Sequence, residues 1–151
     1  MITMRIVIQR VKHAKVTING KVHGQIPQGF MILVGVEDSD GDDEIKYLVH
    51  KVTHLRIFSD ENGKMNYNIE KVHGQVLSVS QFTLYADTKK GNRPSFFHAG
   101  KPDHAKKIYL KFNQALRDAG LHVETGVFGA DMQVELDNDG PSTFILDTDN
   151  K

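Results

Sequence analysis

The chain has 151 residues, enough for one domain with a sizeable core and too few for two ordinary ones. It is 39% hydrophobic and 25% charged, and it has no Cys, which excludes disulfides and thiolate chemistry and suits a reducing cytosol. Nineteen Lys and Arg balance 19 Asp and Glu, so the molecule as a whole has no general attraction for polyanions. The longest apolar run, Phe30 to Val36, is far too short to span a bilayer, and the N-terminus lacks the layout of a signal peptide. Residues 1–151 therefore read as a single cytoplasmic domain, with Met4 as an alternative start and residues 1–3 as a short extension.

Met4 to Val11 alternates well enough for a first strand, and Asn19-Gly20 between Ala14–Ile18 and Lys21–Ile26 is a hairpin signal. Arg5 and Arg10 are an odd number of residues apart and so face opposite sides; one of them should point inward or sit at a strand end, and an inward arginine needs an acceptor. Phe30 to Val36 is a buried-type strand. The acidic stretch from Glu37 to Asp43 opens a helix whose apolar face is Ile45, Leu48, Val49, Val52 and Leu55. His50 and His54 have metal-ligand spacing on that helix, but they lie opposite its apolar face and no acidic partner completes a zinc signature. A solvated helix face accounts for them, and no metal is expected.

Arg56-Ile57-Phe58 reads as a short strand closed by a turn at Ser59–Gly63, and Met65 to Lys71 as an irregular crossing. Val76 to Tyr85 reads as one interior strand, covered on both sides, with Ser80, Gln81 and Thr83 in its middle. Polar groups that deep either tie down neighbouring backbone or line a pocket. Asp87 to Phe97 is a loop by every local rule; it carries Lys89, Lys90 and Arg93 and ends on two aromatics, the layout of a ligand rim. Pro102 opens a second helix, buried through Ala105, Ile108, Phe112, Ala115 and Leu116 and ended by Gly120. His122 to Phe128 gives a short strand, and Met132–Leu136 and Thr143–Leu146 a hairpin joined across Gly140-Pro141. The order of elements predicts an α+β domain, a largely antiparallel or mixed sheet packed with two main helices.

Ser80-Gln81-Phe82-Thr83-Leu84, Asn138-Asp139-Gly140-Pro141-Ser142-Thr143 and the opening Met4 to Val11 together resemble the D-aminoacyl-tRNA deacylase (D-tyrosyl-tRNA deacylase) family. The match runs nearly end to end and includes Gly126 to Met132 and the Asn92-Arg93-Pro94-Ser95-Phe96 loop; Ser142, where the family often carries Val, is a minor departure. The resemblance implies a homodimer with its active site at the subunit interface and aminoacyl-tRNA as the partner. Ser80, Gln81, Phe82 and Thr83 would line a pocket, and Gly140-Pro141, as a cis pair fixed by Arg10, would be a gate inserted into the partner's pocket. The reaction implied is hydrolysis of the ester of D-aminoacyl-tRNA, or of glycine mischarged on tRNA-Ala, with no metal or cofactor.

An L-residue would drive its Cβ into the gate carbonyls, whereas a D-residue points its side chain away. Water, an oriented carbonyl, the tRNA 2′-hydroxyl and backbone N–H groups near Ser80 to Phe82 would carry the chemistry. Thr83 as a covalent nucleophile, served by His98 or His104, is the rival mechanism. Lys89, Lys90 and Arg93 are the candidates for acceptor-stem phosphates, with Lys106 and Lys107 behind them. Two further readings belong to other classes: a non-catalytic RNA-binding module, and a metal-dependent hydrolase drawing on the eight His.

Overall fold

The computed structural model describes residues 4–149; the extension expected over residues 1–3 lies outside them. Its frame is a long first strand, β1 (Arg5–Ile18), with partners on both edges. On one edge its first half pairs antiparallel with β3 (Gly29–Gly35) and its second half with β2 (Lys21–Ile26). β6 (Gln75–Ser80) then runs parallel to β3, and β7 (Val123–Thr125) parallel to β6. Parallel neighbours need crossover connections. Helices α1 (Asp42–His54) and α2 (Pro102–Asp118) lie in those two crossovers. A small hairpin of β4 (Phe58–Ser59) and β5 (Met65–Tyr67) follows α1. The fold is therefore of the expected α+β class, with a mixed sheet and two helices.

Both helices form for local reasons. The first turn of α1 carries Asp42, Asp43 and Glu44 where the helix dipole favours negative charge, and the Gly41 N–H donates to Glu44 Oε1 (2.8 Å). In α2 Pro102 takes the first turn, where its missing N–H costs nothing. Ile45, Leu48 and Val52 of α1 and Ile108, Phe112 and Leu116 of α2 join Met4, Ile6, Ile8, Phe30, Ile32 and Val34 in the main core. Tyr109 and Asn113 widen the buried face of α2 beyond the expected apolar stripe, and the Tyr109 hydroxyl donates to the Ser78 carbonyl (2.6 Å). At the entry to α1, buried Asp40 accepts the N–H groups of Met4 (2.8 Å) and Glu37 (2.6 Å). Burial pushes its carboxyl up to about 6, against the pull of both donors.

The other face of the sheet holds a second core of Val11, Ala14, Val16, Ile26, Met31, Leu77 and Val79. There the sheet curls until β2 lies against β7, and the His23 ring bonds the Thr125 carbonyl (2.8 Å). Towards the start of β1 this face opens: Val7 and Leu33 are half-buried and Ile145 is 68% exposed.

Four expectations are redrawn. Met4–Val11 and Ala14–Ile18, read as separate strands, are the one continuous strand β1, and Met65 to Lys71, read as an irregular crossing, begins with the paired strand β5. The strand beginning near Val76 stops at Ser80, and Phe82–Tyr85 is a 3-10 turn, so Phe82 and Thr83 are exposed rather than inside a sheet. The expected C-terminal hairpin is instead one strand, β8 (Gln133–Asp147), antiparallel to β1 along nearly its whole length. Gln9 faces Thr143 and Val11 faces Asn138, so the four residues from Asp139 to Ser142 stand opposite Arg10 alone. Gly140-Pro141 is therefore a bulge and not a chain reversal.

Candidate active site

The first candidate group stands at the end of β6. The parallel ladder pairs Val34 with Ser80 and runs one bond further, the Gln81 N–H donating to the Val34 carbonyl (2.8 Å). The chain then winds into the 3-10 turn, closed by the Ala86 N–H on the Thr83 carbonyl (3.1 Å). The N–H groups of Phe82 and Thr83 stand at the head of this turn, where a helix has no internal acceptors to offer. The Gln81 side-chain amide donates to the Thr83 hydroxyl and is the only side-chain partner of Thr83 among the described residues. Phe82 is 57% exposed, its ring edge-on to Phe96 at 4.9 Å.

Arg5 holds the far end of the turn. Its Nη1 donates to the Leu84 carbonyl (3.1 Å), its Nε and Nη2 sit 3.0 Å from Asp147 Oδ2, and its guanidinium lies over the Tyr85 ring. Sequence reasoning singled out Arg5 only as one of a pair facing opposite sides. Its role in fastening the turn needed the C-terminal residue Asp147 to be in place.

The second group is the bulge. Arg10 is the inward arginine, 8% exposed. Its Nε donates to the Asp139 carbonyl (3.0 Å), and its Nη1 to the carbonyl of Ile57 beyond α1. Asn138 clasps the bulge from the other side, with Nδ2 on the Ser142 carbonyl (3.2 Å) and Oδ1 accepting the Ser142 N–H (2.6 Å). Gly140 has φ +138°, and a Cβ there would stand 2.5 Å from Ser142 Oγ and 3.1 Å from Arg10 Nη2, so only glycine fits. The Gly140–Pro141 peptide bond is cis, and both residues are exposed.

The chain does not bring the two groups together. Arg10 pairs with Phe30, and Phe30 with Val76, four residues before Ser80 on β6. That offset, with the strand steps from β8 across β1 and β3 to β6, separates bulge and turn by roughly 20 Å. Neither of two clefts on the surface takes a residue from the bulge. A cleft of about 520 Å³ is lined by Arg5, Val7, Tyr47, Leu84, Ile145, Leu146 and Asp147, and one of about 410 Å³ lies between α1 and α2.

Lys89, Lys90 and Arg93 are exposed on a loop pinched at its neck by reciprocal Asp87 and Ser95 backbone bonds of 2.8 Å. Lys106 and Lys107 are exposed on α2, away from that loop in the chain. His104 Nε2 is engaged with the Asp40 carbonyl (2.9 Å) and His98 lies edge-on to Phe97, so neither bonds Thr83. His50 and His54 stack ring on ring at 4.0 Å on the exposed side of α1. Among the described residues no group of three or more His, Cys, Asp or Glu is placed to hold a metal ion, and no helix is long and apolar enough to cross a membrane.

Comparison with known proteins bears on the same segments. The family model for D-Tyr-tRNA(Tyr) deacylase matches residues 7–147, which include both the turn and the bulge. The D-aminoacyl-tRNA deacylase of Thermus aquaticus is 57% identical over 148 residues, covering 98% of this chain and 97% of the relative. That of Bifidobacterium animalis subsp. lactis (strain AD011) is 53% identical over 155 residues, covering 97% and 98%. Among solved structures, the c-Myc DNA Unwinding Element Binding Protein superposes with a TM-score of 0.89 at 37% identity, over 95% of this chain and 98% of that one. A probable eukaryotic D-amino acid tRNA deacylase superposes at 0.82 with 18% identity, over 95% and 98%, a likeness of fold. On the length and identity of these matches, the chain belongs to the D-Tyr-tRNA(Tyr) deacylase family.

Proposed function

We propose that this chain hydrolyses the ester bond of D-aminoacyl-tRNA, and of glycine mischarged on tRNA-Ala, while sparing L-aminoacyl-tRNA, as a chiral proofreading enzyme of the cytoplasm. Residues 1–151 act as one domain in a homodimer. The carrying observation is that the two motifs lie roughly 20 Å apart in one protomer, fixed at one end by Arg5 and at the other by Arg10. A second copy that brings its bulge to the turn makes one site from two halves. The opened sheet face supports this pairing, because Val7 is the register partner of both Leu33 and Ile145 and all three carry uncovered apolar surface.

In the joined site Gly140-Pro141 is the gate. Its exposed backbone, held by Arg10 and clasped by Asn138, occupies the space an L-side chain would need. Discrimination by exclusion tolerates many D side chains and cannot refuse glycine. The catalytic group is Ser80, Gln81, Phe82 and Thr83. Because Val34 already takes the Gln81 N–H, the donors for the developing oxyanion are the N–H groups of Phe82 and Thr83. An ester needs little more than an oriented carbonyl and a placed water, with the tRNA 2′-hydroxyl assisting and no metal or cofactor taking part. Lys89, Lys90 and Arg93 meet the acceptor-stem phosphates.

The test is incubation of the protein with D- and L-tyrosyl-tRNA, with and without chelator. The D-ester is expected to be cleaved, the L-ester spared and chelator to be without effect; equal turnover of both enantiomers would remove the gate. A second reading has one observation behind it, the similarity to a protein described as binding a DNA unwinding element. A nucleic-acid-binding role without hydrolysis predicts tRNA retained and both esters intact in the same assay.

A further inference from the structure

The loop after the turn carries an aromatic ring that lies almost wholly outside the core. Phe96 meets the Phe82 ring edge to face, but Phe97 is 86% exposed, its ring nearly perpendicular to that of His98 (centroids 5.5 Å apart). The exposure is built in. The Asp87–Ser95 bridge fixes the chain on one side, and on the other the Gly100 N–H donates to the Val36 carbonyl (2.8 Å) and the Lys101 N–H to Asp38 Oδ1 (2.8 Å). A large apolar ring held outward at such a place invites a flat partner. Its neighbours along the loop are the exposed cations Lys89, Lys90 and Arg93, while Phe96 joins it directly to the candidate turn.

We propose that Phe97 is a stacking platform for an unpaired base at the 3′ end of the tRNA. This rests on the deacylase reading of the neighbouring turn. A duplex stem held by the loop's cations brings its single-stranded end to the loop that carries this ring, one residue from Phe96 and its contact with the turn. Single-stranded ends are held by stacking on aromatic faces beside positive charge, with little regard for sequence. Phe97 therefore contributes to holding the strand and takes no part in bond cleavage.

The experiment uses the full chain and its Phe97→Ala and Phe97→Trp variants. One arm is single-turnover hydrolysis of D-tyrosyl-tRNA at increasing enzyme concentration. The other is binding of uncharged tRNA whose terminal adenine is replaced by 2-aminopurine, whose fluorescence falls on stacking. Phe97→Ala is expected to raise the half-saturating concentration about five-fold or more, with a smaller change in the maximal rate, and to relieve the quench. Phe97→Trp is expected to restore both. Unchanged half-saturation and quench would overturn the proposal. So would an effect accompanied by a change of oligomeric state in sedimentation, which would make Phe97 a subunit contact. If the wild type quenches the probe yet cleaves neither enantiomer, the deacylase reading fails and the stacking site stands.

Discussion

Asp40 shows how one buried carboxyl ties pH to stability. In the unfolded chain it titrates near 4, and in the fold burial raises it to about 6. The folded state then binds the extra proton between those values, so this group's stabilisation is full below about pH 4 and is lost as pH rises through about 6. The loss is on the order of 2–3 kcal/mol. Denaturant titrations at pH 4.5 and pH 7 are expected to show this fall in the wild type and a flatter profile in Asp40→Asn. Thr83 gives a prediction about mechanism. Among the described residues its hydroxyl meets an amide and no base, so Thr83→Ala is expected to keep D-tyrosyl-tRNA hydrolysis within about ten-fold of wild type. A loss of a thousand-fold order, with an acyl group trapped on Thr83, would reverse that ranking.

At the scale of elements, the bulge in β8 is held by side chains at its two ends. Asn138→Ala removes both bonds to Ser142 and is expected to cost about 1–3 kcal/mol in denaturant melts. The D over L preference is expected to narrow as the gate loosens, measured as the ratio of the two rates. The elements also show what the sequence could convey. Alternation and helical spacing respond to burial, which acts locally, so the strand residues of β1 to β3 and both helices are legible in the sequence, although nothing local shows that Met4–Val11 and Ala14–Ile18 are one continuous strand. The hairpin was misread because Asp, Gly, Pro and Ser serve equally well in a reversal and in a bulge. Only pairing of Met132–Leu136 and Thr143–Leu146 with the same edge of β1 separates the two cases. Val76 to Tyr85 reads as one strand because Phe82, Leu84 and Tyr85 continue its apolar character on both faces. Tyr85 is indeed buried, but it arrives there by way of a tight turn. The candidate residues were legible as motifs; that they sit at separate ends of the sheet was not, because distance along a sheet depends on register.

At the scale of the molecule, the open apolar face around Val7, Leu33 and Ile145 carries the oligomer prediction. A charge placed in a closely packed interface is left without a partner, so Ile145→Asp is expected to give monomers in sedimentation and to abolish D-ester cleavage. Because the side chain is exposed in the single chain, the monomer is expected to melt as a folded protein. Persistence of the dimer would relocate the contact. One strand also sets a dimension. Arg5 and Arg10 hang from opposite faces of β1, the first fastening the turn and the second the bulge, about 16 Å apart along the backbone. Strand rise thus works as a ruler: the pitch between the anchor of the turn and the anchor of the bulge is a count of five residues, and it varies only in whole steps. Removing or inserting a single residue between the two arginines would swing one of them to the wrong side. Substitution can retune either half, but their spacing is closed to gradual change.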